Sequence, residues 1–171
     1  MTDAVTVVDY DPAWPAIFEA QAAVVHAALG PAALAIDHVG STSVPGLPAK
    51  PVIDINLIVA DSTNEAAYVP ALEADGFEFR FREPDWFEHR FLRREEPRVN
   101  LHVFSAGCDE PFRMLAFRDW LRADAADRRL YADTKLALAA SQWESVQDYA
   151  DAKTQVVAEI MQRALAAAER P

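Results

Sequence analysis

Cysteine is nearly absent. Cys108 is the single one in 171 residues, which excludes an intramolecular disulfide and a cysteine-rich zinc site. Basic residues are few as well: 16 Lys and Arg stand against 27 Asp and Glu, for a formal net charge of −11. So acidic a chain disfavours nucleic acid as a partner, because binding to phosphate backbones calls for cations in excess. It leaves room for a small polyanion neutralised by a few local cations or a bound metal. No hydrophobic run approaches the length needed to cross a bilayer. The first residues also lack the basic-then-apolar pattern of a secretory signal. These absences predict a cytoplasmic protein with no membrane partner.

Half the residues are hydrophobic and a quarter charged, ordinary values for a globular chain. The length suits one domain over residues 1–171 with a sizeable core. A first strand is expected at residues 5–8. Asp11-Pro12 reads as a helix start. Trp14, Ile17, Phe18, Val24, Val25 and Leu29 then follow at helical spacing, with Gly30 as the stop. Residues 34–39 and 52–59 read as strands, the second apolar enough to be buried on both faces. A helix is expected over 63–75, stopped by Gly76. Phe77-Glu78-Phe79-Arg80-Phe81-Arg82 alternates strictly, which predicts one buried aromatic face. Residues 86–92 and 99–104 complete the strands. Helices are expected over 110–123, 127–140 and 148–168. Strands mixed with helices, then a helical C-terminal third, make an α+β fold.

Glycine is scarce too, and two of the five glycines fall with three of the eleven prolines in DHVGSTSVPGLPAKPVIDINL, residues 37–57. A glycine at a strand end permits a sharp turn or close approach of backbone to ligand. Ser41, Thr42 and Ser43 supply hydroxyls and N–H groups able to meet an anion. On the following strand, period 2 puts Asp54 and Asn56 on one face and Ile53, Ile55 and Leu57 on the other. An ionised carboxylate in a buried strand is costly unless paired or bound to a metal. The blander reading is a capped turn in which Asp54 accepts from the hydroxyls. The stretch is not a P-loop: Gly40 and Gly46 are wrongly spaced and no Gly-Lys-Ser/Thr follows. Six arginines, Arg80, Arg82, Arg90, Arg93, Arg94 and Arg98, crowd one short segment. They form either the solvated face of edge strands or an anion-binding surface.

The stretch HVGSTSVPGLPAKPVIDI resembles the GrpB-like family, predicted nucleotidyltransferases of the DNA polymerase β-like superfamily. Tyr10-Asp11-Pro12-x-Trp14, Asn-Leu-His-Val-Phe at 100–104 and FRDWLRAD at 117–124 carry the resemblance along nearly the whole chain. So do Tyr131, Lys135, Tyr149 and Lys153, a Tyr-x-x-x-Lys pair on each of two helices. The resemblance implies a nucleotidyltransferase-like mixed β-sheet flanked by helices. It also implies a site in which a Gly-Ser turn holds phosphate and acids on a neighbouring strand hold divalent metal. Gly40 and Ser41, with Thr42 and Ser43, would hold the phosphates. Lys50, Arg90 or Arg98 would neutralise charge. Asp54 would be the main metal ligand and the catalytic residue, with Asn56 and His102 auxiliary ligands.

Two departures from the family pattern stand out. Asn56 replaces the second acid, and Asn100 occupies the first position of a His-x-His ending in His102. A site of Asp54, Asn56 and His102 would take Mg²⁺ or Mn²⁺, with Zn²⁺ a third candidate because imidazole suits it. One outcome is transfer of a nucleotidyl group from a nucleoside triphosphate to a small acceptor. The other is a catalytically degenerate ligand-binding or folding-accessory domain, of the kind fused to dephospho-CoA kinases. His102 alone also reads as a half-buried strand histidine, and His38 as a packing or capping residue. His26 and His89 read as surface residues. The two Tyr–Lys pairs share a helix face and read either as ordinary surface pairs or as a binding element whose lysines meet phosphate. An oligomer with Trp120 or Trp143 at its interface stays open.

Overall fold

The computed structural model describes residues 6–140 and 146–169. Val5 and Trp143 lie outside the described residues, as does the Tyr149 side chain. The chain begins with a single bridge, Val8 to Ala49, where a full strand was expected at residues 5–8. Helix α1, Trp14–Leu29, starts three residues after Asp11 because the Asp11 carboxylate accepts from the Ala13 N–H (2.8 Å) and forms a turn ahead of the helix. It ends at Gly30, as its spacing predicts.

Five strands follow: β1 Ala35–Val39, β2 Ile53–Val59, β3 Glu78–Glu83, β4 His89–Arg94 and β5 Val99–Ser105. They form one mixed sheet in the order β1-β2-β5-β4-β3, and only the β2–β5 pair is parallel. Ile53, Ile55, Leu57 and Val59 of β2 and Val99, Leu101 and Val103 of β5 face one core, closed by Trp14, Val25 and Leu29 of α1. Leu72 of helix α2, Val69–Ala74, completes that layer. The helix expected over 63–75 is shorter because Pro70 lacks an N–H and ends the preceding 3₁₀ turn, Glu65–Ala67.

The alternation of 77–82 breaks at a register irregularity between Phe79 and Phe81. Phe77 and Phe79 stay with the main core, but Phe81 pairs with Phe91 and stacks on it at 4.8 Å. A one-residue slip moves a side chain to the other face of the sheet. β4 also starts later than expected: residues 84–88 form a turn in which Phe87 and Glu88 have φ of 58° and 52°. The Ser62 hydroxyl and Arg90 guanidinium both donate to the Glu88 carbonyl, which pins that turn.

The C-terminal third forms three helices, α3 Asp109–Ala123, α4 Ala125–Ala140 and α5 Val146–Ala168. They enclose a second core of Val44, Leu47, Leu121, Tyr131 and Ile160, with Trp120 packed against it. Trp120 Nε1 donates to Asp127 (2.7 Å), and its half-buried ring packs on this core. Arg163 of α5 grips both Asp127 oxygens, at 2.6 and 2.8 Å. Two of the five sheet-forming segments and all three of these helices thus meet at the Gly40–Lys50 loop. Among the described residues no helix is long and apolar enough to cross a membrane.

Candidate functional site

Gly40 follows β1 at φ 74°, a left-handed conformation that favours glycine. A Cβ added there would lie 2.6 Å from Asp54 Oδ2. Position 40 therefore has to be glycine twice over, for its backbone and for the close approach of the β2 carboxylate. The turn is held by its own side chains. Thr42 Oγ1 meets His38 Nε2 at 2.9 Å, and the Ser43 hydroxyl donates to the Gly40 carbonyl. Thr42 and Ser43 are buried, so their hydroxyls build the turn. His38 stacks on Phe18 at 4.7 Å. Burial, with Arg122 nearby, pushes its pKa down to about 4, so it is neutral at pH 7.

Ser41 is different. Its Oγ accepts from Lys135 Nζ at 2.6 Å, and the same amine donates to the Pro48 carbonyl at 3.1 Å. Lys135 is 4% exposed. Burial and the charge of Lys153 push its pKa down to about 7, against the pull of Asp54. Both Lys135 and Lys153 lie over the Tyr131 ring, at 5.2 and 5.3 Å. A cleft of about 270 Å³ opens here, bordered by Ser41, Lys50, Asp54, Arg98, Lys135 and Lys153. A second hollow of about 190 Å³ shares Ser41, Asp54 and Lys153 and extends under Met114 and Phe117 of α3.

Asp54 and Asn56 of β2 lie opposite Asn100 and His102 of the parallel strand β5. His102 Nε2 sits 3.2 Å from Asp54 Oδ1. Asp54 and His102 thus share one face of neighbouring strands, the arrangement their phase in the sequence predicts. Asn56 is 1% exposed. Its Nδ2 meets Met114 Sδ at 3.3 Å, while its Oδ1 is buried without a hydrogen-bond partner. Among the described residues no three His, Cys, Asp or Glu side chains converge as a metal cage. One carboxylate, one imidazole and an orphaned amide oxygen instead fit a cation that takes its remaining ligands from phosphate and water.

The sheet separates the arginines. Arg90 pairs with Val103 on the opposite face from Asp54. It is buried there, its Nε 2.8 Å from Glu65, which Arg82 grips as well. These guanidiniums hold the Glu65 carboxyl down at about 2. Arg80 pairs with Glu78 and Arg93 with Glu95, and Arg94 bonds Gln21. Of the cluster, Arg98 borders the cleft and Arg90 does not.

His89 corrects its surface reading. It is 2% exposed, packed between Trp86 and Phe104, with Nδ1 2.9 Å from Glu83 and Nε2 3.0 Å from His102 Nδ1. Burial and the neighbouring imidazole push its pKa down to about 4. Of the two readings that the Tyr-x-x-x-Lys spacing allows for Lys135, the surface pair does not fit its burial beside the cleft. Nothing in the sequence points to Glu83 or His89.

A family model described as GrpB protein matches residues 4–163. A UPF0157 protein of Halalkalibacterium halodurans is 55% identical over 160 residues, covering 94% of this chain and 82% of that relative. The crystal structure of conserved protein GrpB from Enterococcus faecalis superposes with a TM-score of 0.85 at 32% identity, over 96% of this chain and 100% of that one. The Cid1 poly(U) polymerase, in a crystal structure with Mg and 3'-dATP bound, matches with a TM-score of 0.54 at 14% identity. That match covers 74% of this chain and 41% of the polymerase, and at such identity it is a likeness of fold alone.

Proposed function

Since the chain belongs to the GrpB family and has a nucleotidyltransferase-like fold, we propose that it binds a nucleoside triphosphate, or a related phosphorylated ligand, together with a divalent cation. The observation that carries this reading is that Ser41, Asp54 and Lys153 line two adjoining hollows, with Lys135 bordering the first and Gly40 the second. A carboxylate beside two lysines suits a ligand that is anionic but reaches the protein partly through a metal. Ser41 and the lysines hold the phosphates, with Lys50 and Arg98 at the rim. Thr42 and Ser43 act by shaping the turn. Asp54 holds the cation, assisted by His102 and the free oxygen of Asn56. The cation supplies charge neutralisation at the phosphates. Nucleotidyl transfer is the reaction this arrangement suits: an acceptor hydroxyl oxygen replaces pyrophosphate at the α-phosphorus.

One observation favours binding without turnover. Asn56 is neutral and buried where the superfamily pattern has a second acid, so the site carries one negative charge fewer for holding metal. Calorimetry with a panel of triphosphates, with Mg²⁺ or Mn²⁺ and with EDTA, tests the reading. Metal-dependent binding that disappears in Asp54→Asn is expected. Release of pyrophosphate in the presence of candidate acceptors separates transfer from binding alone. Absence of binding for every nucleotide, with and without metal, refutes the reading.

A further inference from the structure

Four strands contribute to one row of side chains on the site face. Glu83 ends β3, His89 begins β4, His102 lies in β5 and Asp54 in β2. Three contacts join them: Glu83 Oε1 to His89 Nδ1 at 2.9 Å, His89 Nε2 to His102 Nδ1 at 3.0 Å, and His102 Nε2 to Asp54 Oδ1 at 3.2 Å. Each contact requires a proton between its two heavy atoms if it is to be a hydrogen bond. When both rings are neutral they bring one N–H each, and the two carboxylates bring none. The three contacts then share two protons, and one contact is left needing a further proton or a cation.

The surroundings decide where that gap falls. At the His89–His102 contact it would be enclosed, because the His89 ring is packed by Trp86 and Phe104. At the Glu83–His89 contact it would set a carboxylate against a bare nitrogen that nothing else satisfies. At the His102–Asp54 contact it borders the cleft, where Asp54 forms part of the wall. The arrangement with least conflict has His89 Nδ1–H donating to Glu83 and His102 Nδ1–H donating to His89 Nε2. His102 Nε2 is then a bare donor atom aimed beside Asp54. An imidazole nitrogen and a carboxylate oxygen facing each other without a proton are relieved by a cation.

The geometry points to Glu83 and His89 as positioning residues. They lock His102 in the Nδ1–H tautomer, so that Nε2 and Asp54 together hold a cation that favours imidazole, Mn²⁺ or Zn²⁺ in preference to Mg²⁺. This deepens the reading above and rests on its claim that a cation binds beside Asp54. The left-handed turn at Phe87 and Glu88 acquires a purpose, since it places Trp86 edge-on to His89, 5.0 Å between centroids. Packing fixes the ring plane, and Glu83 selects which nitrogen carries the proton.

Calorimetric titration of the whole chain with MnCl₂, ZnCl₂ and MgCl₂ in turn is the test, on wild type, Glu83→Ala, His89→Gln and Asp54→Asn. The Glu83 side chain is 44% exposed, so its removal spares the core, and circular dichroism checks each fold. The dissociation constants for Mn²⁺ and Zn²⁺ are expected to rise about tenfold or more in Glu83→Ala and His89→Gln, the usual effect of losing such an outer partner. Weak Mg²⁺ binding changes little, and Asp54→Asn loses all three ions. Long-range ¹H–¹⁵N correlation spectra of the imidazoles should show His102 protonated at Nδ1 in wild type and as mixed tautomers in Glu83→Ala. Cation binding that is equal in wild type and both outer variants, or a wild-type His102 protonated at Nε2, overturns the positioning role and leaves the cation site standing. A wild type that binds none of the three ions, either alone or with a triphosphate present, overturns the cation reading itself, and the positioning role with it.

Discussion

Lys135 should make anion binding fall with rising pH. Its amine is buried against Ser41 and Pro48 with a pKa near 7, whereas an ordinary lysine titrates near about 10.4. A phosphate arriving beside it favours the charged form, so above pH 7 each bound anion brings a proton to the amine. Affinity should then drop toward tenfold per pH unit, about 1.4 kcal/mol, between pH 7 and 9. A terminal phosphate loses its last proton near about pH 6, so ligand charge is constant across that window. The ligand-free protein should show the opposite trend. Between about pH 7 and 10 the unfolded chain binds a proton at Lys135 that the native chain does not, so stability rises with pH there. Titrations of a triphosphate at constant saturating Mg²⁺ at pH 7, 8 and 9, beside urea melts at the same pH values, read both slopes. Lys135→Met should bind weakly with no slope from this group and should lose the matching rise in stability. A pH-independent affinity in wild type, or an equal decline in Lys135→Met, would refute the reasoning.

Gly40→Ala forces a left-handed alanine and a Cβ 2.6 Å from Asp54 Oδ2. Thermal melts should show a loss of about 1–3 kcal/mol, and calorimetry should show lost Mn²⁺ binding; an unchanged melt would deny the close approach. Asp127→Ala removes the carboxylate that ties Trp120 of α3 to Arg163 of α5. Urea melts should show a lower midpoint, moderated by the 44% exposure of the Arg163 side chain, with weaker triphosphate binding because α5 carries Lys153; full retention of both would count against the helical clamp. His38 has a folded pKa of about 4, below its unfolded value. The unfolded chain therefore binds the extra proton between about pH 6.5 and 4, and stability falls as pH falls through that window by up to about 1.4 kcal/mol per unit. His38→Gln should flatten that limb of the stability profile by about one proton, and an identical profile would show that His38 does not titrate as placed.

By itself the sequence determined the elements whose signals are local. The run 52–59 is apolar at nearly every position, so it had to be an interior strand. Its period of 2 put Asp54 on the same face as Asn56, and the same period aligned His102 with Asn100. Gly40 before Ser-Thr-Ser marked the turn, because few residues other than glycine adopt its φ. What sequence periodicity could not carry was anything set by pairing between distant strands. Phe81 changed faces through a register slip, which leaves no trace in the alternation of Phe77-Glu78-Phe79-Arg80-Phe81. Arg90 went to the far side of the sheet and His89 to its interior because β4 pairs with β5 in one register and not the next. Lys135 reads as a surface lysine on α4 until the packing of α3, α4 and α5 brings that helix face down onto Ser41. Burial, and with it the proton affinity of an amine or an imidazole, depends on neighbours dozens of residues away in the chain. Only the tertiary structure decided which of this chain's polar residues face one another.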